Sequence, residues 1–420
     1  MTTAAGLNWA GNYEFTAPRL HTPGSVDEVQ QIVASAERVR ALGTKHSFNA
    51  IADSAGDLIS LVDLPPAIEI AADGRTVTVA AGTRYGIVAS LLQAEGFALH
   101  NMGSLPHISV AGAVSTGTHG SGNTNGNLST AVSGLEIVSG RGELVSVTRE
   151  HPSFAGMVVG LGAFGVVTRV TLDIQPTFDV RQDLYVDLPW DAVLADFEAI
   201  TSGAYSVSLF TNWVGDTLSQ VWLKTVVRDG QPASMPSDFF GATPAPLTVS
   251  SPAGSDNTTV TGGVVGPWSE RLPHFRLDST PSNGDEIQSE FFVDRAHAAA
   301  ALSVVRELGE RIAPHLLVTE LRTMAGDELW LSPAYGRDSL AIHFTWKNEP
   351  EAVMALLPDI QAALAPFGAR PHWGKANTLT SATVAPLYER LPDFAALAEV
   401  YDPDHQFRNA YLTRMIGLAD

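Results

Sequence analysis

The chain has 420 residues, of which 45% are hydrophobic and 17% are charged, so it is long enough for two or three domains and too apolar to be disordered. Its net charge of −20 argues against nucleic acid and against an anionic membrane surface as partners, because both require clustered Lys and Arg. The absence of cysteine excludes disulfides, thiolate metal sites and thiol catalysis.

The first 176 residues mix helical and strand patterns. Apolar residues at helical spacing predict a helix over 26–39, with Ser25 as its N-cap, and a second helix over 85–97 that ends near Gly96. Segments typical of strands are 39–43, 57–61, 76–82, 134–140, 143–148 and 166–176. This mixture predicts an α/β or α+β domain.

A second region with longer and more regular strands begins near Pro176. The predicted strands are 205–213, 219–227, 316–324 and 340–347, and helices are predicted near 296–311 and over 350–364. The pattern is typical of an antiparallel sheet with helices on one face and a ligand on the other. Residues 228–286 have no periodicity and are interpreted as long loops, and 391–412 as a short helix, a turn and a terminal piece.

No signal for secretion or for a membrane span is present in the sequence. The N-terminus lacks a basic segment followed by an apolar run. The longest apolar stretch, AGMVVGLGAFGVV, has 13 residues, whereas a transmembrane helix needs about 20. We therefore expect a cytoplasmic monomer.

Residues 101–126, NMGSLPHISVAGAVSTGTHGSGNTNG, combine glycines and hydroxyl residues with apolar positions that are expected to be buried. Glycines let the main chain approach a ligand, and free N–H groups can bind anions. The segment therefore predicts a loop that wraps a ligand; the alternative is a mobile surface loop. It matches neither the Walker pattern nor GxGxxG after a strand, and neither a GxSxG nucleophile motif nor a metal-ligand set occurs in the chain.

Two predicted strands carry polar residues on one face. Alternation places Val318, Glu320 and Arg322 on one side of the first strand, and His343 and Thr345 on one side of the second. The two strands predict either the floor of a hydrophilic pocket or a solvent face with a cross-strand ion pair. By itself, His46 in RVRALGTKHSFNAIA fits a solvated loop residue.

Taken together, these segments resemble the vanillyl-alcohol-oxidase-type FAD enzymes. The motif RxLGxxHSFN at 40–49 precedes the 101–126 loop, and DPxxxFxNxYL at 402–412 is similar to the aldonolactone-oxidase branch. NWAGN at 8–12, WLSPAYGRD at 330–338, HFTW at 343–346 and RPHWGK at 370–375 are closer still to the bacterial alditol (xylitol) oxidases. The resemblance covers nearly the whole chain.

The resemblance implies a two-domain α+β fold. An FAD-binding domain of the VAO/PCMH type would comprise residues 1–176, completed by 377–420. A substrate or cap domain, with a mainly antiparallel sheet covered by helices, would comprise 177–376.

The resemblance also implies the site. His46 matches the histidine that is linked covalently to the flavin. The residues that match cofactor contacts are Arg40, Ala41, Leu42, Gly43, Thr44, Lys45, His46, Ser47, Ser104, Ser109, Gly112, Thr116, Gly117, Thr118, His119, Val167, Thr345 and His372. The residues that match the substrate pocket are Ser104, Glu320, Arg322, Thr345 and Lys375, with His343 and His372 close by. Lys45 departs from the expected pattern, in which a small residue occupies this position.

The implied activity is FAD-dependent oxidation of the terminal hydroxyl of alditols such as xylitol and sorbitol, with O2 reduced to H2O2. Arg322 and Lys375 would stabilise the developing alkoxide, and His343 or a water molecule would take the proton. The alternatives are an aldonolactone oxidase or dehydrogenase of the same family and a flavin-binding protein without catalysis. A polyol substrate, FAD and O2 are thus the expected partners.

Overall fold

A computed structural model describes residues 5–65, 67–228, 236–246, 257–280 and 284–418. Its first part contains, in chain order, β1 (Arg19–His21), α1 (Val26–Ser35), β2 (Val39–Leu42), β3 (Asp57–Ser60), β4 (Ile68–Ile70), β5 (Thr76–Ala80), α2 (Tyr85–Ala94), β6 (Phe97–Ala98), α3 (Val110–Ser115), β7 (Val132–Val138), β8 (Leu144–Thr148), α4 (Phe154–Met157), β9 (Val166–Asp173) and β10 (Gln175–Pro176). These elements agree with the predicted mixture of strands and helices.

The rest of the chain contains larger elements. They are β11 (Asp179–Pro189), α5 (Trp190–Thr201), β12 (Ser206–Thr211), β13 (Thr217–Val227), β14 (Thr243–Pro244), β15 (Val265–Pro267), α6 (Trp268–Arg271), β16 (Glu286–Asp294), α7 (Ala298–Arg306), α8 (Gly309–Ile312), β17 (Leu316–Met324), β18 (Ser339–Lys347), α9 (Pro350–Leu364), β19 (Arg370–Pro371), α10 (Ser381–Val384), α11 (Leu391–Tyr401) and α12 (Ala410–Ile416).

The first part forms a parallel sheet with strand order β1-β3-β2 and an antiparallel sheet with order β4-β5-β9-β7-β8. The Ser25 side chain caps α1 by accepting a hydrogen bond from the Glu28 N–H, as predicted. The helix ends at Ser35 and not at Val39, because Val39 starts β2 and its N–H donates to the Gln406 carbonyl. Gly96 follows α2 with a φ of +80°, a conformation that favours glycine.

A nine-stranded antiparallel sheet dominates the second part. Its order is β14-β11-β13-β12-β17-β18-β16-β19, with β15 paired to β11. Helices α5, α7 and α9 bury their apolar residues against one face, where Leu321, Ile342 and Phe344 point. The opposite face carries Glu320 and His343, so the predicted alternation and the helix-covered antiparallel sheet are confirmed.

Several elements differ from the prediction. The supposed loops over 228–286 include β14, β15, α6 and the first residue of β16, while 229–235, 247–256 and 281–283 lie outside the described residues. The predicted helix near 296–311 is divided into α7 and α8, and α3 lies inside the glycine-rich segment.

The C-terminal tail returns to the first part of the chain. Arg38 donates to the His405 carbonyl at 2.6 Å, and the Asn409 amide donates to main-chain carbonyls of residues 50–53. The domain boundaries at 176/177 and 376/377 stay a prediction. In the described ranges, no helix is both long enough and apolar enough to cross a membrane.

Candidate active site

A large cavity lies between the polar face of the nine-stranded sheet and the first part of the chain. The predicted site residues that line it are Arg40, Ala41, Leu42, Gly43, Thr44, Lys45, His46, Ser47, Ser104, Ser109, Gly112, Thr116, Thr118, His119, Val167, Glu320, Arg322, His343, Thr345, His372 and Lys375. Gly117 lies off the cavity. Its φ is +66°, and a Cβ at this position would meet Pro333 at 2.7 Å, so Gly117 serves a turn packed on Pro333.

His46 lies in the loop after β2, and its ring stacks on Trp9 with centroids 5.1 Å apart and an interplanar angle of 20°. Nδ1 is 3.0 Å from Thr44 Oγ1, whereas the buried Nε2 has no hydrogen-bond partner among the described residues. Burial, followed by the charge of His107, lowers the pKa of His46 to about 4. His46 is therefore a neutral imidazole with an unsatisfied nitrogen in the cavity wall.

The loop after β2 approaches the glycine-rich segment closely. A Cβ at Gly43 would lie 2.8 Å from Ser109 Oγ, and one at Gly112 would lie 2.9 Å from the same atom. The Ser109 N–H donates to Thr44 Oγ1 at 3.2 Å. Glycine at these two positions thus lets the two segments pack tightly along the cavity wall, where a cofactor can lie close to the main chain. Together with the unsatisfied His46 nitrogen, these residues fit the FAD that the resemblance implies.

Arg40 lines the cavity, but its guanidinium donates hydrogen bonds to main-chain carbonyls of three other segments of the chain. Nη1 donates to the carbonyls of Gly162 at 3.1 Å and Phe407 at 2.7 Å, and Nη2 donates to those of Leu161 at 2.7 Å and Ile51. Burial lowers the pKa of Arg40 to about 10, so the side chain is still cationic at neutral pH. These bonds tie the C-terminal tail to the cavity wall.

Lys45 holds the N-terminal segment that contains Trp9, whose ring stacks on His46. Its φ of +61° is in the left-handed region, its carbonyl accepts from the Trp9 N–H at 2.8 Å, and its Nζ donates to the Ala5 carbonyl at 2.5 Å. Lys45 therefore anchors the N-terminal segment that places Trp9 on the His46 ring.

A buried charged cluster occupies the sheet face. Glu290 Oε2 accepts from Lys375 Nζ at 2.7 Å, while Oε1 accepts from Arg322 Nη2 at 3.2 Å and lies 3.1 Å from His119 Nε2. His343 Nδ1 lies 2.6 Å from Lys375 Nζ. The cluster is adjacent to the His46 loop, because the Phe48 N–H donates to the carbonyl next to Lys375 in sequence.

Burial and charge set the protonation of this cluster. Burial alone would raise the pKa of Glu290, but Lys375 and His119 bring it well below its usual range. Burial, aided by Lys375, lowers the pKa of His343 to about 4. Burial also lowers the pKa of Lys375, although Glu290 opposes this shift. At neutral pH the cluster therefore combines a carboxylate with a neutral imidazole.

Arg322 connects this cluster to a second carboxylate. Its Nη1 donates to Ser104 Oγ at 3.1 Å, and its Nε lies 3.5 Å from Glu320 Oε1. The same Glu320 oxygen lies 2.7 Å from His274 Nε2. Burial would raise the pKa of Glu320, but Arg322 and His274 lower it well below its usual range.

The remaining predicted residues surround these charges. Thr345 Oγ1 lies 3.0 Å from His343 Nε2. His372 Nδ1 accepts from the Gly374 N–H at 3.0 Å, and its ring stacks on Phe292. The polar strand faces are thus buried and do not form a solvent-exposed ion pair.

Four polar residues of this region were absent from the predicted site, namely Glu290, Gln288, His274 and Lys224. Glu290 and Gln288 are on β16, where the alternation of IQSEFFV was a usable signal. His274 lies in an aperiodic segment, and no sequence pattern distinguishes the buried Lys224 from a surface lysine.

Comparisons with known proteins agree with this geometry. The family model described as an FAD binding domain matches residues 17–148, and the model described as D-arabinono-1,4-lactone oxidase matches residues 283–415. The chain is similar in fold to cholesterol oxidase from B. sterolicum, with a TM-score of 0.78 at 15% identity over 98% of this chain and 96% of that one. This likeness shows the fold alone.

Full-length relatives define the family. An alditol oxidase from a Streptomyces species is 45% identical over 99% of this chain and 100% of its own length. An L-gulono-1,4-lactone dehydrogenase from Mycobacterium tuberculosis is 28% identical over 98% of both chains. The chain therefore belongs to the alditol oxidase family of FAD-dependent flavoproteins, which are oxidoreductases that act on CH–OH groups.

Proposed function

We propose that this chain oxidises the terminal primary hydroxyl of alditols, such as xylitol and sorbitol, to the aldose and passes the electrons to O2 to give H2O2. The observation that carries the proposal is the buried sheet face on which Lys375, Arg322, His343 and Glu320 meet beside the His46 loop. A polyol needs many hydrogen-bond partners, since each buried hydroxyl without one costs about 1–3 kcal/mol. The similarity to the Streptomyces alditol oxidase supports the same substrate class.

When bound, FAD supplies the acceptor for the hydride that leaves C1 of the alcohol. The protein stabilises the charge that develops on the hydroxyl oxygen, because Lys375 and Arg322 place cationic groups in a buried site. Their charge is held in position by Glu290, which contacts both of them.

The hydroxyl proton requires an acceptor. We propose that Lys375 relays the proton: its ammonium gives one proton to His343 Nδ1, 2.6 Å from Nζ, and Nζ takes up the proton that leaves the hydroxyl. The low pKa of His343 keeps this imidazole neutral above about pH 4, so it is free to accept. The loss of activity on acidification should accordingly follow a group that titrates near pH 4 and not near the usual value for histidine.

A substrate screen with peroxide detection tests the activity. The purified flavoprotein should oxidise xylitol and sorbitol and release one H2O2 per aldose formed. A preference for L-gulono-1,4-lactone over xylitol would instead support an aldonolactone oxidase if H2O2 forms, or an aldonolactone dehydrogenase if turnover requires an artificial electron acceptor. This second candidate is supported by the match of residues 283–415 to the lactone oxidase model and by the similarity to the L-gulono-1,4-lactone dehydrogenase.

We also propose that His46 is the covalent attachment residue for FAD. Its support is the neutral imidazole with a buried, unsatisfied nitrogen. Acid-precipitated wild-type protein should keep flavin fluorescence on a denaturing gel, and His46→Ala should lose it. His151→Ala, which changes an exposed histidine, is the matched control and should retain the fluorescence. Fluorescence that survives in His46→Ala would exclude His46 as the tether.

A further inference from the structure

Lys224 is a fully buried lysine on β13, and it faces the same side of the sheet as the active site. Its Nζ donates to the carbonyls of Leu272 at 2.5 Å and Pro273 at 3.1 Å, and it lies 3.0 Å from His274 Nδ1. In the described part of the chain, no carboxylate forms an ion pair with this ammonium. A buried charge without a paired carboxylate is costly, so its retention calls for a functional reason.

The contacts with Glu320 and Lys224 fix the tautomer of His274. The ionised Glu320 carboxylate can only accept, so His274 Nε2 must carry the ring proton, and Nδ1 is left to accept from the Lys224 amine. Burial, together with Lys224, lowers the pKa of His274 to about 4, which keeps the ring neutral. The single ring proton is therefore on Nε2, where it is donated to Glu320 Oε1 at 2.7 Å.

This chain of hydrogen bonds presents Glu320 to the cavity in one orientation. Among the described residues, the contacts of its carboxylate with His274 and Arg322 are made by Oε1. No described residue donates a hydrogen bond to Oε2, so this oxygen can accept from a ligand. The charges of Lys224 and Glu320 are coupled, because Glu320 opposes the burial that lowers the pKa of Lys224 to about 7.

Glu320 lies on β17 opposite His343 of β18. Arg322 bridges Glu320 and Glu290, and Glu290 in turn holds Lys375. The wall beyond Glu320 is aromatic and is formed by Phe210, Trp222 and Phe275. A polyol whose reacting carbon lies at Lys375 can therefore place another of its hydroxyls at Glu320, because both residues line the same cavity.

We propose that Lys224 and His274 are positioning residues that hold Glu320 as an ionised, oriented acceptor for the distal hydroxyls of a polyol. The inference rests on the proposed function and deepens it, because it specifies which residues select long polyols over short diols. Lys224 and His274 act through Glu320 and do not touch the reacting atoms.

The test compares xylitol with 1,2-propanediol, which lacks the distal hydroxyls, in the purified flavoprotein. Lys224→Met removes the charge and keeps a similar volume. We expect KM for xylitol to rise by about 10-fold or more while kcat changes by less than about 3-fold. This is the pattern expected when a variant loses an interaction that the substrate makes equally in the ground state and in the transition state. KM for the diol should change by less than about 3-fold, because the diol does not reach Glu320.

A second pair of variants tests whether the effect comes from the orientation of Glu320 by His274 or only from the attachment of residues 272–274 to Lys224. His274→Gln keeps an N–H donor for Glu320, whereas His274→Leu removes it. KM for xylitol should be closer to the wild-type value in His274→Gln than in His274→Leu. If Lys224→Met does not accumulate as a folded flavoprotein, the comparison of these two variants alone tests the inference. Equal losses for both alcohols, or equal behaviour of the two His274 variants, would overturn the inference. A wild-type enzyme that oxidises neither alcohol would instead refute the proposed function.

Discussion

The Glu290 carboxylate balances the charges of Lys375 and Arg322, which the proposed mechanism places at the reacting hydroxyl. It contacts the Lys375 ammonium and the Arg322 guanidinium, and it is only 1% exposed. Two cations in a buried site would repel each other without an anion between them. In the proposed mechanism Glu290 therefore acts through Lys375, as a positioning residue.

Replacement of Glu290 by Gln should change the pH dependence of the enzyme. The amide cannot compensate the charge of Lys375, so the pKa of Lys375, which burial already lowers, should fall further. Lys375 is cationic below its pKa, and the variant should lose this charge at a lower pH than the wild type does. Near neutral pH we expect kcat for xylitol to fall on the order of 10²-fold, the effect of losing one transition-state donor.

The measurement is kcat against pH for the wild type, Glu290→Gln and the exposed control Glu351→Gln. Activity of Glu290→Gln should recover in part on acidification, as Lys375 regains its proton. A loss of kcat that is the same at every pH would show that Glu290 has a purely structural role.

At the scale of elements, the clean alternation of β17 and β18 was sufficient to predict which side chains face the cavity. Strand β16 was missed although Gln288 and Glu290 alternate with Ile287 and Ser289, because the adjacent Phe291 and Phe292 interrupt this alternation after Glu290. Glu290 was therefore missed with it. His274 could not be predicted, because it reaches Glu320 only through a contact between residues 46 positions apart.

Helix α9 should contribute to stability without contributing to catalysis, since it packs on the sheet face opposite the cavity. Leu357 in this helix is fully buried, while Met354, three residues earlier, is 41% exposed. We expect Leu357→Ala to lower the free energy of unfolding by about 2–5 kcal/mol, through loss of apolar burial and formation of a cavity. Met354→Ala should change it by less than about 1 kcal/mol.

Urea unfolding followed by tryptophan fluorescence measures both values. kcat/KM for xylitol should be the same in the two variants and in the wild type. A lower kcat/KM in Leu357→Ala would indicate that the helix layer influences the position of the charged residues across the sheet.

In the whole molecule, the C-terminal tail is joined to the N-terminal part of the chain beside the cavity. The Arg40 guanidinium binds the Phe407 carbonyl, and the Asp402 carboxylate accepts from the Gln406 and Phe407 N–H groups to form the preceding turn. The resemblance pointed to this return of the DPDHQF tail, whereas periodicity alone did not reveal it. The side-chain bridges across more than 350 residues had no local signal in the sequence.

Variants of Asn409 can separate two contributions of this junction to stability, namely the hydrogen bonds to residues 50–53 and the N-cap of α12. Its amide donates to the carbonyls of Ala50, Ile51 and Asp53, and its Oδ1 caps α12 by accepting from the Leu412 N–H at 2.9 Å. Asn409→Ser keeps an oxygen for the cap but removes the amide donor. Asn409→Ala removes both.

We expect Asn409→Ser to lower the free energy of unfolding by about 1–3 kcal/mol, because buried carbonyls lose a donor. Asn409→Ala should cost about 1 kcal/mol more, the usual contribution of an N-cap. Urea unfolding of the two variants and the wild type gives both differences, and flavin fluorescence reports whether the cofactor region opens in the same transition. Since residues 50–53 follow the His46 loop, flavin and tryptophan signals should change together. An Asn409→Ser variant as stable as the wild type would show that the bridge between the chain ends adds no stability.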